Sequence, residues 1–221
     1  MNDALKQYPR LTWLIRLRWI ATVVQAALIT GAAALDSVEI RLIPLAAVVL
    51  VMAASNGLLH LWSQGRDDAH PAVVPGVLAL DTVLVTIGLS VSGGPMNPFS
   101  FLYVVYVAIA AVMTVGHWRW LLFGLAVGGY GLLYVIHSHD HHGEAMALHL
   151  QGMWVAMAVT AGLIVYFVSM LQRELSNRER ELASMRANQQ TLTSLTAMAA
   201  GAAHELATPL STIAVTSKEL E

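Results

Sequence analysis

No cysteine occurs in the 221 residues, which excludes a disulfide framework and a thiolate metal site within this chain. Charge is also scarce. Asp, Glu, Lys and Arg make up 12% of the residues and apolar types 57%, whereas a soluble domain carries about 25% charge. That deficit points to a membrane protein. The net charge of -2 and the lack of a basic stripe leave nothing suited to phosphate backbones, so nucleic-acid binding is not expected. The amino terminus has no short apolar core followed by a small-residue cleavage site, so no signal peptide is expected. Its first apolar stretch is long enough to stay as an anchor.

What is present is a series of long apolar runs. A membrane-crossing helix needs roughly 20 mainly apolar residues, and six segments qualify, near 19–35, 42–62, 73–92, 99–115, 119–136 and 147–171. An even number of spans puts both termini on one side, and Lys and Arg decide which side. With the termini in the cytoplasm, the inner segments hold Lys6, Arg10, Arg16, Arg18, Arg66, Arg119, Arg173, Arg178, Arg180, Arg186 and Lys218, against Arg41 alone outside. The expected location is therefore a bacterial inner membrane, with residues 1–18 as a cytoplasmic segment and 19–171 as a six-span domain.

Past Leu171 the composition turns to Gln, Arg, Glu, Ser and Asn set between spaced apolar residues. A 3-4 spacing continues through Leu175, Leu182, Met185, Leu192, Ala199, Ala203, Leu206, Leu210, Ile213 and Leu220, interrupted by Arg178, Gln189, Thr196 and Ser217. That pattern over several heptads argues for a parallel coiled coil, and hence a homodimer. The alternative is an amphipathic helix folding back on the chain. No Gly or Pro cluster separates this region from the sixth span. The expected fold is thus all-α: a six-helix bundle running into a coiled-coil linker (172–198) and the first helix of a phosphoacceptor domain (199–221).

That last segment reads AAGAAHELATPLSTI. In the heptad frame Ala203 and Leu206 face the partner helix, which leaves His204 on the outer face, open to an in-line approach by a phosphoryl donor. Glu205 is placed to orient the imidazole and take its proton. Thr208, at i+4, shares the face of His204, and its hydroxyl suits positioning a water for the reverse hydrolysis. Pro209 has no N–H and should bend the helix just beyond. A lone histidine would more simply be a surface residue. The order His-Glu-Leu-x-Thr-Pro-Leu, however, resembles the phosphoacceptor box of sensor histidine kinases, with Ala207 at its variable position.

A second motif narrows the resemblance. SGGPMNPF, residues 92–99, forms the short outer turn between the third and fourth spans. Gly-Gly-Pro and Asn-Pro are turn-makers on their own account. Gly93, Gly94, Asn97, Pro98 and Phe99 nonetheless resemble the Gly-Gly-x-x-Asn-Pro-Phe signature of the RegB/PrrB redox-sensing histidine kinases, which are also six-span proteins with cytoplasmic termini. The resemblance implies a sensor of the quinone pool that binds ubiquinone at this turn, phosphorylates His204 and passes the phosphoryl group to a cognate response regulator. Physics allows such a site: glycines admit a ring close to the backbone, Asn97 can donate to a carbonyl, and Phe99 can stack. The resemblance also implies a redox-active cysteine and an ATP-binding domain downstream of the box. Neither lies in these 221 residues, so ATP would act through a domain supplied elsewhere, and the chain alone is expected to be catalytically silent.

Two weaker constellations remain. His137, His139, His141, His142 and His149, with Asp140 and Glu144, crowd an outer loop. They could hold Zn, Ni or Cu, but a short His-rich loop reads more simply as a solvated one, so no metal site is assigned. Asp81 falls inside the third span, about 12 Å from its cytoplasmic end, with Gln25 and Asn56 about 9 Å from theirs. Either the three polar side chains satisfy one another as a packing cluster, or Asp81 is a proton carrier and the protein is a small multi-span transporter with a dimerising tail. A haem protein is disfavoured, because His60 and His149 fall near opposite faces.

Overall fold

The computed structural model describes residues 7–33, 41–64, 70–137 and 144–219, and among these there is no strand. The elements are α1 (Gln7–Ala33), α2 (Leu42–Ser63), α3 (Val73–Val91), two short 3-10 turns (Gly94–Met96 and Pro98–Phe101), α4 (Leu102–Met113), α5 (Trp118–His137) and α6 (Glu144–Glu219). They fall into two compact units, Met1–Ser169 and Met170–Glu221.

Among the described residues, five helices are long and apolar enough to cross a membrane: α1, α2, α3, α5 and α6. The expected fourth span is shorter. Asn97 and Pro98 open a 3-10 turn, and the α-helix proper begins only at Leu102, so the apolar helical stretch is Pro98–Met113. Its end is closed locally: the Thr114 amide and hydroxyl both donate to the Ala110 carbonyl, at 2.9 and 2.7 Å. Helix α2 tolerates Pro44 because it lies in the first turn, where no intrahelical N–H bond is lost.

The first unit has two apolar centres. One joins α3, α4, α5 and α6 through Val85, Tyr103, Val107, Ala126, Tyr130, Leu133, Ala161 and Val165. Small residues let the helices close in on it: a Cβ at Gly129 would meet Thr86 Oγ1 at 2.8 Å, beside the 2.7 Å hydrogen bond between Thr86 and Tyr103. The other centre joins α1, α3, α4 and α5 through Leu11, Leu14, Ile15, Val74, Leu78, Ala110 and Leu122.

Helix α1 begins at Gln7, and Leu11, Leu14, Ile15 and Arg18 are buried, whereas residues 1–18 were expected as a cytoplasmic segment. Arg119 is buried too. Its Nη2 donates to the Thr114 carbonyl at 2.8 Å and its Nη1 to Ser169 Oγ at 2.6 Å. Neither arginine is a loop charge, although the remaining bias of Lys and Arg keeps its sign.

The second unit is helical throughout its described length. Leu175, Leu182, Met185 and Leu192 are each more than half exposed, and Arg178 pairs with Glu174 one turn away at 3.0 Å.

Candidate functional site

Arg18 is the residue that sequence reasoning missed. It projects from α1 onto Asp81 of α3: Nε donates to the two carboxylate oxygens at 3.1 and 2.9 Å, and Nη2 donates to Oδ1 at 2.7 Å. Nη2 also reaches Ser55 Oγ at 2.7 Å, and Nη1 reaches Asn56 Oδ1 at 3.3 Å. Asn56 in turn donates to the Ile15 carbonyl at 3.1 Å. The side chains of Arg18 and Asp81 are 3% and 0% exposed. A buried carboxylate without a cation is costly, so Asp81 already demanded a partner. The signal was in the sequence as the two arginines of IRLRW, counted there among the cytoplasmic charges. Of the expected polar trio, Asp81 and Asn56 meet through Arg18, and Gln25 stands apart. An aspartate held by an arginine on both carboxylate oxygens, with no exposed side-chain surface, is the arrangement of a packing cluster.

The same network fixes the register of three helices. Arg18 lies level with Ser55 and Asn56 of α2 and Asp81 of α3. Further along α1, Gln25, Leu28 and Ile29 lie level with Leu45, Val48, Val49 and Met52 of α2 and with Leu84–Ser92 of α3. Together they line a partly open cavity of about 440 Å³, within the range of ordinary small-molecule sites. Asp81 borders one end, and Gly93, Met96, Asn97, Pro98, Phe99 and Leu102 border the other. The lining is mainly apolar. The cavity thus lies mainly against α1, α2 and α3, with Leu102 of α4 at its rim.

The turn itself is built by its own residues. Gly93 and Gly94 have φ of 115° and 59°, conformations that side-chain-bearing residues rarely adopt. Gly94 is also pressed against α5, where a Cβ would come within 2.7 Å of the His137 ring. His137 Nδ1 lies 3.0 Å from the Leu133 carbonyl, and the Tyr130 hydroxyl donates to the Pro95 carbonyl at 3.1 Å. Asn97 braces the loop from within. Its Nδ2 donates to the Ser92 carbonyl at 2.7 Å and to Ser92 Oγ at 2.8 Å, and its Oδ1 accepts from the Phe99 amide at 2.9 Å. The donor capacity expected to serve a ligand is therefore spent inside the turn. Phe99 is 40% exposed and borders the cavity. Of the five expected residues, the structure brings Gly93, Asn97, Pro98 and Phe99 to the cavity and turns Gly94 towards α5.

The other expected site is placed only by its backbone. His204, Glu205 and Thr208 lie on α6, whose helix continues through Pro209 to Glu219. Their side chains are outside the described residues, as are His139, Asp140, His141 and His142 and the side chain of Glu144. Among the described residues no group of three potential metal ligands gathers.

Residues 1–185 match the family model of the six-span PilS-like transmembrane domain. Comparison with curated proteins gives no match, nor does comparison with solved structures.

Proposed function

The chain belongs to the PilS-like transmembrane-domain family, a membrane domain of the sensor-kinase type, and from that premise we propose that it is the sensor region of a two-component histidine kinase responding to the redox state of membrane ubiquinone. The observation that carries this reading is the cavity, which joins the turn at 93–99 to an apolar space among α1, α2 and α3. It fits the group. A lipid-soluble ring needs an apolar wall, a flat neighbour and a few polar contacts; Leu84, Val85 and Met52 supply the first, and Phe99 supplies the second.

The polar turn is held rigid by Asn97 and by the contacts of Gly94 and Pro95 with α5, so an occupant would meet a fixed rim. An occupant that favours one packing of the helices over another would shift their balance, because a ligand acts only through differential affinity. A tenfold shift takes about 1.4 kcal/mol, within reach of one stacked ring and one hydrogen bond. In this reading the output is the phosphorylation of His204, with Glu205 orienting the imidazole and Thr208 serving dephosphorylation. ATP is the donor through a catalytic domain, the kinase acts as a homodimer, and a response regulator is the acceptor.

The test is binding of a short-tailed ubiquinone analogue to the protein in nanodiscs. Phe99→Ala is expected to weaken binding several-fold and, in the presence of the catalytic domain, to make phosphorylation insensitive to quinone redox state. Unchanged affinity and an unchanged redox response would reject the turn as part of the site. Asn97→Ala should lower affinity as well, through loss of turn structure, and its effect should be accompanied by a lower unfolding temperature.

A further inference from the structure

With Asn97 committed to the turn, the cavity still needs a group that can hydrogen-bond an occupant, and the geometry points to Gln25. This inference rests on the reading of the cavity as a quinone site and names the residue that would hold the ring's carbonyl.

The register argument comes first. Arg18 is pinned to Asp81 by three hydrogen bonds no longer than 3.1 Å, which sets the rotation of α1 about its own axis. Gln25 follows Arg18 by seven residues, two turns later on the same face of the helix. It therefore points where Arg18 points, towards α3, about 10 Å further along the axis. Counting the same rise along α3 from Asp81 reaches Gly88, which also borders the cavity. Gln25 and Gly88 thus share a level, roughly a turn short of Ser92 and the rim.

Chemistry comes second. The Gln25 side chain is half-buried, borders the cavity and makes no hydrogen bond among the described residues. The other polar side chains at the cavity are taken: Asp81 by Arg18, Ser92 by Asn97 and the Gly88 carbonyl, and Asn97 by Ser92 and the Phe99 amide. A carboxamide offers two N–H donors and one carbonyl acceptor. It can donate to the carbonyl of an oxidised quinone and accept from the hydroxyl of the reduced form. Opposite it, Gly88 contributes no side chain. A Cβ there would meet only Val48 Cγ1, at 3.9 Å, so the glycine is not required by close backbone packing and leaves a slot at the level of Gln25. A flat ring lying over Gly88, edge towards Gln25 and with Phe99 at the rim, uses the features that the fold leaves unexplained.

Two variants test this in nanodiscs, with retention of a labelled short-tailed ubiquinone analogue as the readout. Gln25→Leu keeps the size of the side chain and removes its polar group; a roughly tenfold loss of affinity is expected, the effect of one hydrogen bond. Gly88→Leu puts a side chain into the slot, its Cβ meeting only Val48, and should reduce retention to the level of empty nanodiscs. Both should keep the parent's unfolding temperature within a few degrees, which separates loss of a contact from loss of fold. If the parent retains the analogue and both variants retain it equally well, the inference about Gln25 and Gly88 is overturned while the quinone reading stands. If the parent itself retains none, the quinone reading fails and this inference fails with it.

Discussion

Asp81 and Arg18 are engaged with each other, and Ser55 and Asn56 complete the set. Such a network stabilises little against an apolar replacement but is costly to break from one side, because the surviving charge is left buried and unpaired. Asp81→Asn should therefore lower stability by about 3 kcal/mol, read as a lower unfolding temperature in detergent. The double variant Arg18→Met, Asp81→Leu should recover much of that loss. A second consequence separates stability from binding: even where stability is recovered, the double variant should retain less quinone analogue, because the pair also sets the rotation of α1 that aims Gln25 at the cavity. Asp81 was legible in the sequence as a residue needing a partner. Its partner was not, because an arginine near the end of an apolar run looks the same whether it faces water or a carboxylate on another helix.

Helices were easier to read than their contacts. Helices α2, α3 and α5 lie within a residue or so of the expected spans, since an unbroken apolar run has few alternatives once water is excluded. Helix α1 extends further towards the amino terminus because Arg18 is neutralised inside the bundle. Helix α4 is shorter because Asn97 and Pro98 impose a 3-10 turn first. The turn was recognised by its glycines, but the role of Asn97 was not: whether an amide braces its own loop or serves a ligand depends on where Ser92 and Phe99 come to lie. In α6 the heptad row past Leu171 is exposed in the single chain, as a coiled-coil seam without its partner would be. Leu182→Asp combined with Leu192→Asp is expected to abolish disulfide cross-linking between cysteines introduced near residue 186 on two copies of the chain. Cross-linking at the parent level would exclude a parallel dimer through this seam.

For the whole molecule, the test of assignment is where phosphate goes. In the presence of a catalytic domain and ATP, His204→Gln should remove all acid-labile label from the protein, measured by phosphate incorporation and acid treatment. Thr208→Ala should retain label and slow the loss of phosphate from the response regulator by roughly tenfold or more, in the range typical of a positioned proton-transfer or water-orienting group. Label persisting at another histidine would mean that the His-Glu-Leu-x-Thr-Pro-Leu order is incidental.

The pairing of Arg18 with Asp81 also bears on how the protein is made. Helix α1 is the least apolar of the candidate spans, and a lone arginine deep in a helix costs roughly 2.5–3.5 kcal/mol to place in lipid during synthesis. Its carboxylate arrives 63 residues later, after α2 has emerged from the ribosome. The first helix thus has reason to wait at the bilayer surface or within the translocation machinery until the third can neutralise it. A nascent chain cut after α2 should leave the amino terminus poorly integrated and extractable by alkali. One cut after α3 should resist extraction, and Asp81→Leu in that longer chain should restore the defect.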